Sequence, residues 1–248
     1  VAFMSQPGGS LRRVTVGDAV MAHHAQLYRV GGVDKVIAQS FGQGATGAQA
    51  GAGFRQLYTW NGTGFTVQRI DMAGAMAVLA GAFTGDDRQW LITADQCNGP
   101  GVSGNCSTNV MLPYAYRLVN NVTVRPAIPL PTPYFNDKPQ YAEFPSQFPT
   151  SKTHTPRLLA TDLNQDGRLD VVAVSKIWSS GLNGEIKGMF QLLFNLGDMR
   201  FQDVTDLLPS EFNENSMTDH SARLADVDGS GIDTLLASRP TADTAVAD

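Results

Sequence analysis

One nonapeptide limits what this chain can fold into: Asp162-Leu163-Asn164-Gln165-Asp166-Gly167-Arg168-Leu169-Asp170, followed at once by Val171-Val172-Ala173-Val174. Oxygen-bearing side chains fall at positions 1, 3, 5 and 9, and Gly167 fills position 6, where the backbone must turn sharply. A hard cation such as Ca²⁺ takes roughly six to eight oxygens, and this spacing wraps them around a point. Position 7, Arg168, would supply its main-chain carbonyl, so its side-chain charge is no objection. Without a cation, three carboxylates packed this closely would repel one another. An EF-hand loop would run on into a helix and carry an acid at position 12. Position 12 is Ala173, inside a β-branched apolar run that predicts a buried strand. The loop therefore leads into a strand, which argues against an EF-hand.

The pattern returns in eroded form. Asp226, Asp228 and Ser230 repeat positions 1, 3 and 5 with Gly231 at 6, while the acid moves to position 8 as Asp233 and Thr234 takes position 9. Around Gly81–Thr93 the frame persists with most ligands lost: Ala82 stands at position 1 and Trp90 at position 9, so Asp86 and Asp87 are expected to bind no metal. Gly31–Ala38 reads as a fourth, shortened copy. A strand, Asn/Gly turn and strand follow each loop, in Phe190–Thr205, in Phe54–Gln68 around Asn61-Gly62, and more weakly in Tyr114–Arg125. Loop, apolar strand and hairpin form a repeating unit.

These residues resemble the FG-GAP/VCBS repeat family, which includes the blades of integrin α-subunit propellers. The best copy runs from about Pro156 to Leu208. The resemblance implies an all-β fold, a β-propeller of four-stranded antiparallel blades in which Ca²⁺ braces the turns between strands. Position 1 of the loops falls near residues 26, 82, 162 and 226, giving about three to four copies across 1–248. Propellers have about four to eight blades, so the chain reads as part of a larger propeller, with a compact four-bladed ring as the alternative. Ligands expected for the better site are Asp162, Asn164, Asp166, the Arg168 carbonyl and Asp170. Asp226, Asp228 and Ser230, completed by Asp233, form the weaker one.

With 18 basic and 23 acidic residues the net charge is −5. No Lys/Arg cluster offers the phosphate neutralisation that nucleic-acid binding requires. The longest apolar run, Met72–Phe83, is too short to span a bilayer and reads as a blade strand. Cys97 and Cys106 flank a Gly/Pro/Asn-rich stretch that reads as a loop closed by a disulfide, with two unpaired thiols as the alternative. A disulfide points to a secreted or cell-surface location. Asn61, Asn105 and Asn121 head glycosylation sequons, which matter only in a eukaryotic source.

The segment 126–156 is rich in proline and aromatic residues and breaks the rhythm, because proline disrupts strand pairing. It reads either as an insertion forming a binding edge or as a long connection packed on the core. Trp60 and Trp178 lie near strand ends or turns and are candidates for stacking on a sugar, with blade packing as the default. His23, His24, His154 and the Asp219-His220-Ser221 triplet lack partners at catalytic or ligand spacing. Asp203 and Asp206 read as solvated turn residues. Every organised carboxylate cluster falls in a turn loop, so no acid/base pair is left for catalysis. The chain is therefore expected to be no enzyme but a calcium-stabilised binding or adhesion module for a protein or glycan. The alternatives are a structural part of a larger surface or toxin assembly and an accessory region of a secreted hydrolase or lyase.

Overall fold

Short apolar stretches separated by Asn/Gly turns favour meandering sheets over helices, and meanders are what form. The structure is a computed structural model and describes residues 2–5, 10–14, 22–40, 54–71, 75–86, 88–95, 113–131, 151–179, 184–208 and 222–237. Three sheets are four-stranded antiparallel meanders. The first contains β3 (Ala22–Val30), β4 (Val33–Ser40), β5 (Phe54–Trp60) and β6 (Phe65–Asp71). The second contains β7 (Ala75–Gly81), β8 (Gln89–Asp95), β9 (Pro113–Val119) and β10 (Val122–Pro129). The third contains β11 (Ser151–Thr161), β12 (Asp170–Ser179), β13 (Gly184–Asn195) and β14 (Phe201–Asp203). Two hairpins flank them, β1 (Ala2–Ser5) with β2 (Leu11–Val14) and β15 (Ala222–Ala225) with β16 (Thr234–Ala237).

The sheets stack side by side through their first strands: β7 lies against β3 and β11, and β11 touches β15. Side chains alternate across a strand, so each middle sheet buries both faces. On β7, Ala77 and Leu79 join Leu158, Val171, Ala173 and Leu193 of the third sheet. Their neighbours Val78 and Ala80 turn the other way, onto Tyr28, Ile37 and Leu57 of the first. On β12 the split recurs, because Val172 and Val174 pack with Phe190, Leu192 and Ala222 on the side facing β15. This explains why the run after Asp170 is uninterrupted by polar residues: both faces are dry. Such a stack of radially adjoining four-stranded meanders is an all-β, propeller-like arrangement.

One sequence expectation holds in reduced form and two need correction. Gly31-Gly32 stands between the first and second strands of its sheet, the place of the other loops, shortened to two residues. Both glycines have positive φ (54° and 75°), and Val30 pairs directly with Val33, which makes a two-residue hairpin turn. The proline-rich segment does not begin and end outside the sheets. Pro126 lies in β10 and Pro156 in β11, each an edge strand, and each falls where the register shifts. Proline is tolerated there because no ladder N–H is missed. The interior of that segment, 132–150, lies outside the described residues, as do Cys97, Cys106, Asn105 and the Asp219–Ser221 triplet. Asp203 is no idle turn residue: it accepts hydrogen bonds from Gln191 Nε2 (2.8 Å) and from the Thr205 N–H (3.0 Å), and Thr205 Oγ1 receives the Leu192 N–H (3.0 Å).

A polar cluster joins the first two sheets. Lys35, buried to 8 % exposure, donates to Gln89 Oε1 and Asn121 Oδ1, both at 3.2 Å, and Asn121 Nδ2 donates to Gln68 Oε1 at 3.1 Å. The side chain of the Asn121 sequon is thus engaged in an inter-sheet contact. Burial pushes the Lys35 ammonium below the usual lysine pKa. A base with a lowered folded-state pKa binds fewer protons than the unfolded chain. Stability therefore rises with pH between that lowered value and the ordinary pKa of about 10.4. The stability difference between the native protein and Lys35→Met should move in favour of the native protein as the pH is raised through the alkaline range toward about 10, read from paired thermal melts. A difference that stays flat over that range would contradict the assignment.

Candidate metal loops

Three loops occupy the same place in successive sheets, between the first and second strand: 82–88, 162–169 and 226–233. Their backbones are ordered by one cascade of side-chain acceptors, as Asp, Asn and Ser commonly do in turns. In the second loop of the series Asp162 accepts the N–H groups of Asp166 (3.0 Å) and Gly167 (2.8 Å). Asn164 accepts Asp166 N–H (3.1 Å), and Asp166 accepts Arg168 N–H (2.9 Å). The third loop repeats this: Asp226 accepts Gly231 N–H (2.9 Å), Asp228 accepts Ser230 N–H (3.0 Å), and Ser230 Oγ accepts Ile232 N–H (3.3 Å). The hydrogen bond from Ser230 holds Asp228 below the usual carboxylate range. Position 4 takes positive φ in all three loops, as Gly85 (73°), Gln165 (60°) and Gly229 (75°), and position 6 does so as Gly167 (85°) and Gly231 (84°).

Asp170 differs from the other loop acids because it is fully buried. Its two oxygens accept the N–H groups of Leu163 (2.9 Å) and Asn195 (2.8 Å). Burial pushes its carboxyl upward in pKa while those bonds favour the ionised form. The residue that the sequence did not single out is Asn195, also fully buried. Its Nδ2 donates to the carbonyls of Phe83 (2.6 Å) and Leu169 (3.0 Å), and its Oδ1 accepts Gly197 N–H (3.0 Å). One amide therefore ties the 82–88 loop to the 162–169 loop. Gly81 lies at the same junction, where a β-carbon would sit 3.1 Å from Leu169 Cδ1.

Arg168 is not the bystander its carbonyl role implied. Its guanidinium forms an ion pair with Asp166 Oδ2, and Nε donates to the Asn195 carbonyl at 2.8 Å. Arg88 in the degenerate loop does the same to Asp86, which Thr84 also contacts, and that contact holds the Asp86 carboxyl low. In both loops an arginine at position 7 neutralises the acid at position 5. In the third loop position 7 is Ile232, so Asp226 and Asp228 have no such guanidinium within their loop. Trp90, at position 9 of the degenerate loop, donates to Thr84 Oγ1 (3.3 Å), occupying ligand space with a hydrogen bond.

Among the described residues no three acid, imidazole or thiol groups converge on one point. The 162–170 set instead mixes carboxylates with an amide and a carbonyl, donors that suit a hard cation. Here the Asp162 and Asp170 oxygens accept backbone N–H groups and Asp166 is paired with Arg168. A family model, the FG-GAP-like repeat, matches residues 162–237. This segment is similar to FG-GAP-like repeats. The repeat thus runs from the 162–170 loop through β12, β13 and β14 to β16, bracketing the two best-preserved loops. No curated protein and no solved structure matches the chain. Of the aromatic candidates, Trp60 packs on its hairpin partner Phe65, ring centroids 5.1 Å apart, and is half-buried rather than part of a core cluster. Trp178 lies in β12 opposite Lys152 and Glu185, and its side chain falls outside the described residues.

Proposed function

We propose that this chain is a calcium-stabilised, extracellular, non-catalytic binding module for a protein or glycan. The observation that carries the reading is the oxygen-rich 162–170 loop, set at a sheet-to-sheet junction of an FG-GAP-like repeat. Asp162, Asn164, Asp166, the Arg168 carbonyl and Asp170 would hold the ion, and Asp226, Asp228 and Ser230, with Asp233, would hold a second. Bound Ca²⁺ would supply fixed positive charge against clustered carboxylates. The chain's own residues position the loop: Asn195 and Asp170 anchor its ends, and Arg168 guards Asp166 when the ion is absent. Among the described residues no helix is long and apolar enough to cross a membrane.

The test is a thermal melt with calcium and with chelator. Binding at a hundred times its dissociation constant stabilises by about 2.7 kcal/mol. Asp166→Ala should remove most of that gain. Arg168→Gln should enlarge it, since the competing guanidinium is gone. Identical melting temperatures with calcium and with EGTA would end the metal reading. Binding to a glycan array, lost in Trp178→Ala, would support the glycan arm of the proposal.

A further inference from the structure

The β5–β6 hairpin turns through Asn61-Gly62-Thr63-Gly64, between the paired residues Trp60 and Phe65. It joins the third and fourth strands of the first sheet, a place apart from the loops that join first and second strands. Asn61, Gly62 and Thr63 are exposed. The Asn61 backbone N–H donates to the Gly64 carbonyl (3.0 Å), which closes the turn. The side-chain oxygen of Asn61 then accepts three hydrogen bonds, from Thr63 N–H (3.1 Å), Gly64 N–H (2.9 Å) and the Thr63 hydroxyl (3.2 Å).

Two N–H groups aimed at one carbonyl oxygen draw electron density from its carbon and stabilise negative charge developing on the oxygen, as an oxyanion hole does. That carbon is Asn61 Cγ. The next backbone nitrogen in the chain belongs to Gly62, and its attack on Cγ closes a five-membered ring. Among the described hydrogen bonds none uses Gly62 N–H or Asn61 Nδ2, so nucleophile and leaving group are both uncommitted. Gly62 has a φ of 96°, and the space a β-carbon would take there is open, so nothing crowds the ring. Other asparagines differ. Asn121 Nδ2 is held by Gln68, Asn164 Nδ2 by Asp166 and Asn195 Nδ2 by two carbonyls. Each of those is also followed by a residue with a side chain, Val122, Gln165 or Leu196.

We propose that Asn61 is a self-modification site, converted to aspartate through a cyclic imide whose formation the turn itself promotes. Gly62 N attacks Asn61 Cγ and forms the new C–N bond, while its proton passes through solvent to Nδ2. The Cγ–Nδ2 bond breaks with its electron pair on nitrogen, and ammonia leaves. Water then opens the imide at either carbonyl, giving aspartate or its β-linked isomer at position 61. One water is consumed and one ammonia released, with no oxidation or reduction. Either product puts a negative charge on a turn that carries none. The β-linked isomer also adds one backbone carbon inside the Trp60–Phe65 pair, which sets the register of β5 on β6. The proposal goes beyond the binding reading and needs no metal.

The experiment incubates the full chain in heavy-oxygen water at mildly alkaline pH and follows each asparagine by peptide mass spectrometry. A synthetic peptide of residues 59–66, which lacks the folded turn, is run beside it. Asn61 should lose its amide and take up heavy oxygen about tenfold faster in the folded chain than in the peptide, a modest share of what oxyanion donors contribute. Asn121, Asn164 and Asn195 should stay unconverted over the same time. The rate should be the same in calcium and in EGTA, so failure of the metal reading leaves this one standing. A folded-chain rate no faster than that of the peptide would overturn the proposal, because the turn would then promote nothing. Conversion of Asn121 or Asn164 as fast as Asn61 would overturn it too.

Discussion

Asn195→Ala should lower unfolding stability by about 3 kcal/mol, measured by urea denaturation, without changing the secondary structure. The side chain is fully buried and makes three bonds, to the Phe83 carbonyl, the Leu169 carbonyl and the Gly197 N–H. Alanine strands the buried Phe83 carbonyl and removes the part-buried bonds to Leu169 and Gly197, and each buried orphan costs about 1–3 kcal/mol. Part of that cost is relieved by local relaxation, hence the mid-range figure. Asn195→Asp keeps the volume but aims a carboxylate at two carbonyl oxygens, so it should be worse at neutral pH and recover on acidification. A loss below about 1 kcal/mol for the alanine variant would mean that the two loops are joined by other contacts.

Asp170→Ala is expected to cost about as much, and to do so in EGTA as well as in calcium. Its oxygens receive the Leu163 and Asn195 N–H groups in a fully buried site, so its removal strands two donors irrespective of any ion. Asp166 stands at the exposed side of the same loop, paired with Arg168. Asp166→Ala should therefore change stability by less than about 1 kcal/mol in EGTA, as expected for an exposed ion pair. The two substitutions separate the structural from the ion-facing half of the loop. Equal effects of both in EGTA would remove that distinction.

Much of the fold was legible because the physics that sets it is local. Val171–Val174 carries no polar residue, and only a strand buried on two faces needs that composition. The Asn61-Gly62, Asn120-Asn121 and Gly197 turns supply left-handed backbone, which places the hairpins without tertiary information. The loop cascade was not read from the sequence, where these oxygens were assigned to a cation, although each Asx acceptor bonds an N–H only two to five residues on. The rest of what escaped was long-range. Asn195 reads as a turn residue, and nothing in its neighbours announces a bond to Phe83, 112 positions away. Arg168 looked harmless because a carbonyl role says nothing of where a guanidinium swings. Pro126 and Pro156 were read as strand breakers, but proline is excluded from a sheet only where its N–H is wanted, and edge position is a property of topology. Gly31-Gly32 was read as a shortened copy, and the pairing of Val30 with Val33 fixes how short it is, two turn residues.

The alternating allegiance of β12 has a consequence for how the molecule comes apart. Val172, Val174, Phe190 and Leu192 are dry because Ala222 and Leu235 of the last hairpin cover them. In an array whose units meet only their neighbours, cooperativity travels through such shared faces. Peeling off β15 and β16 would therefore bare the apolar face that Val172, Val174, Phe190 and Leu192 present, and would couple loss of that hairpin to loosening of its neighbour.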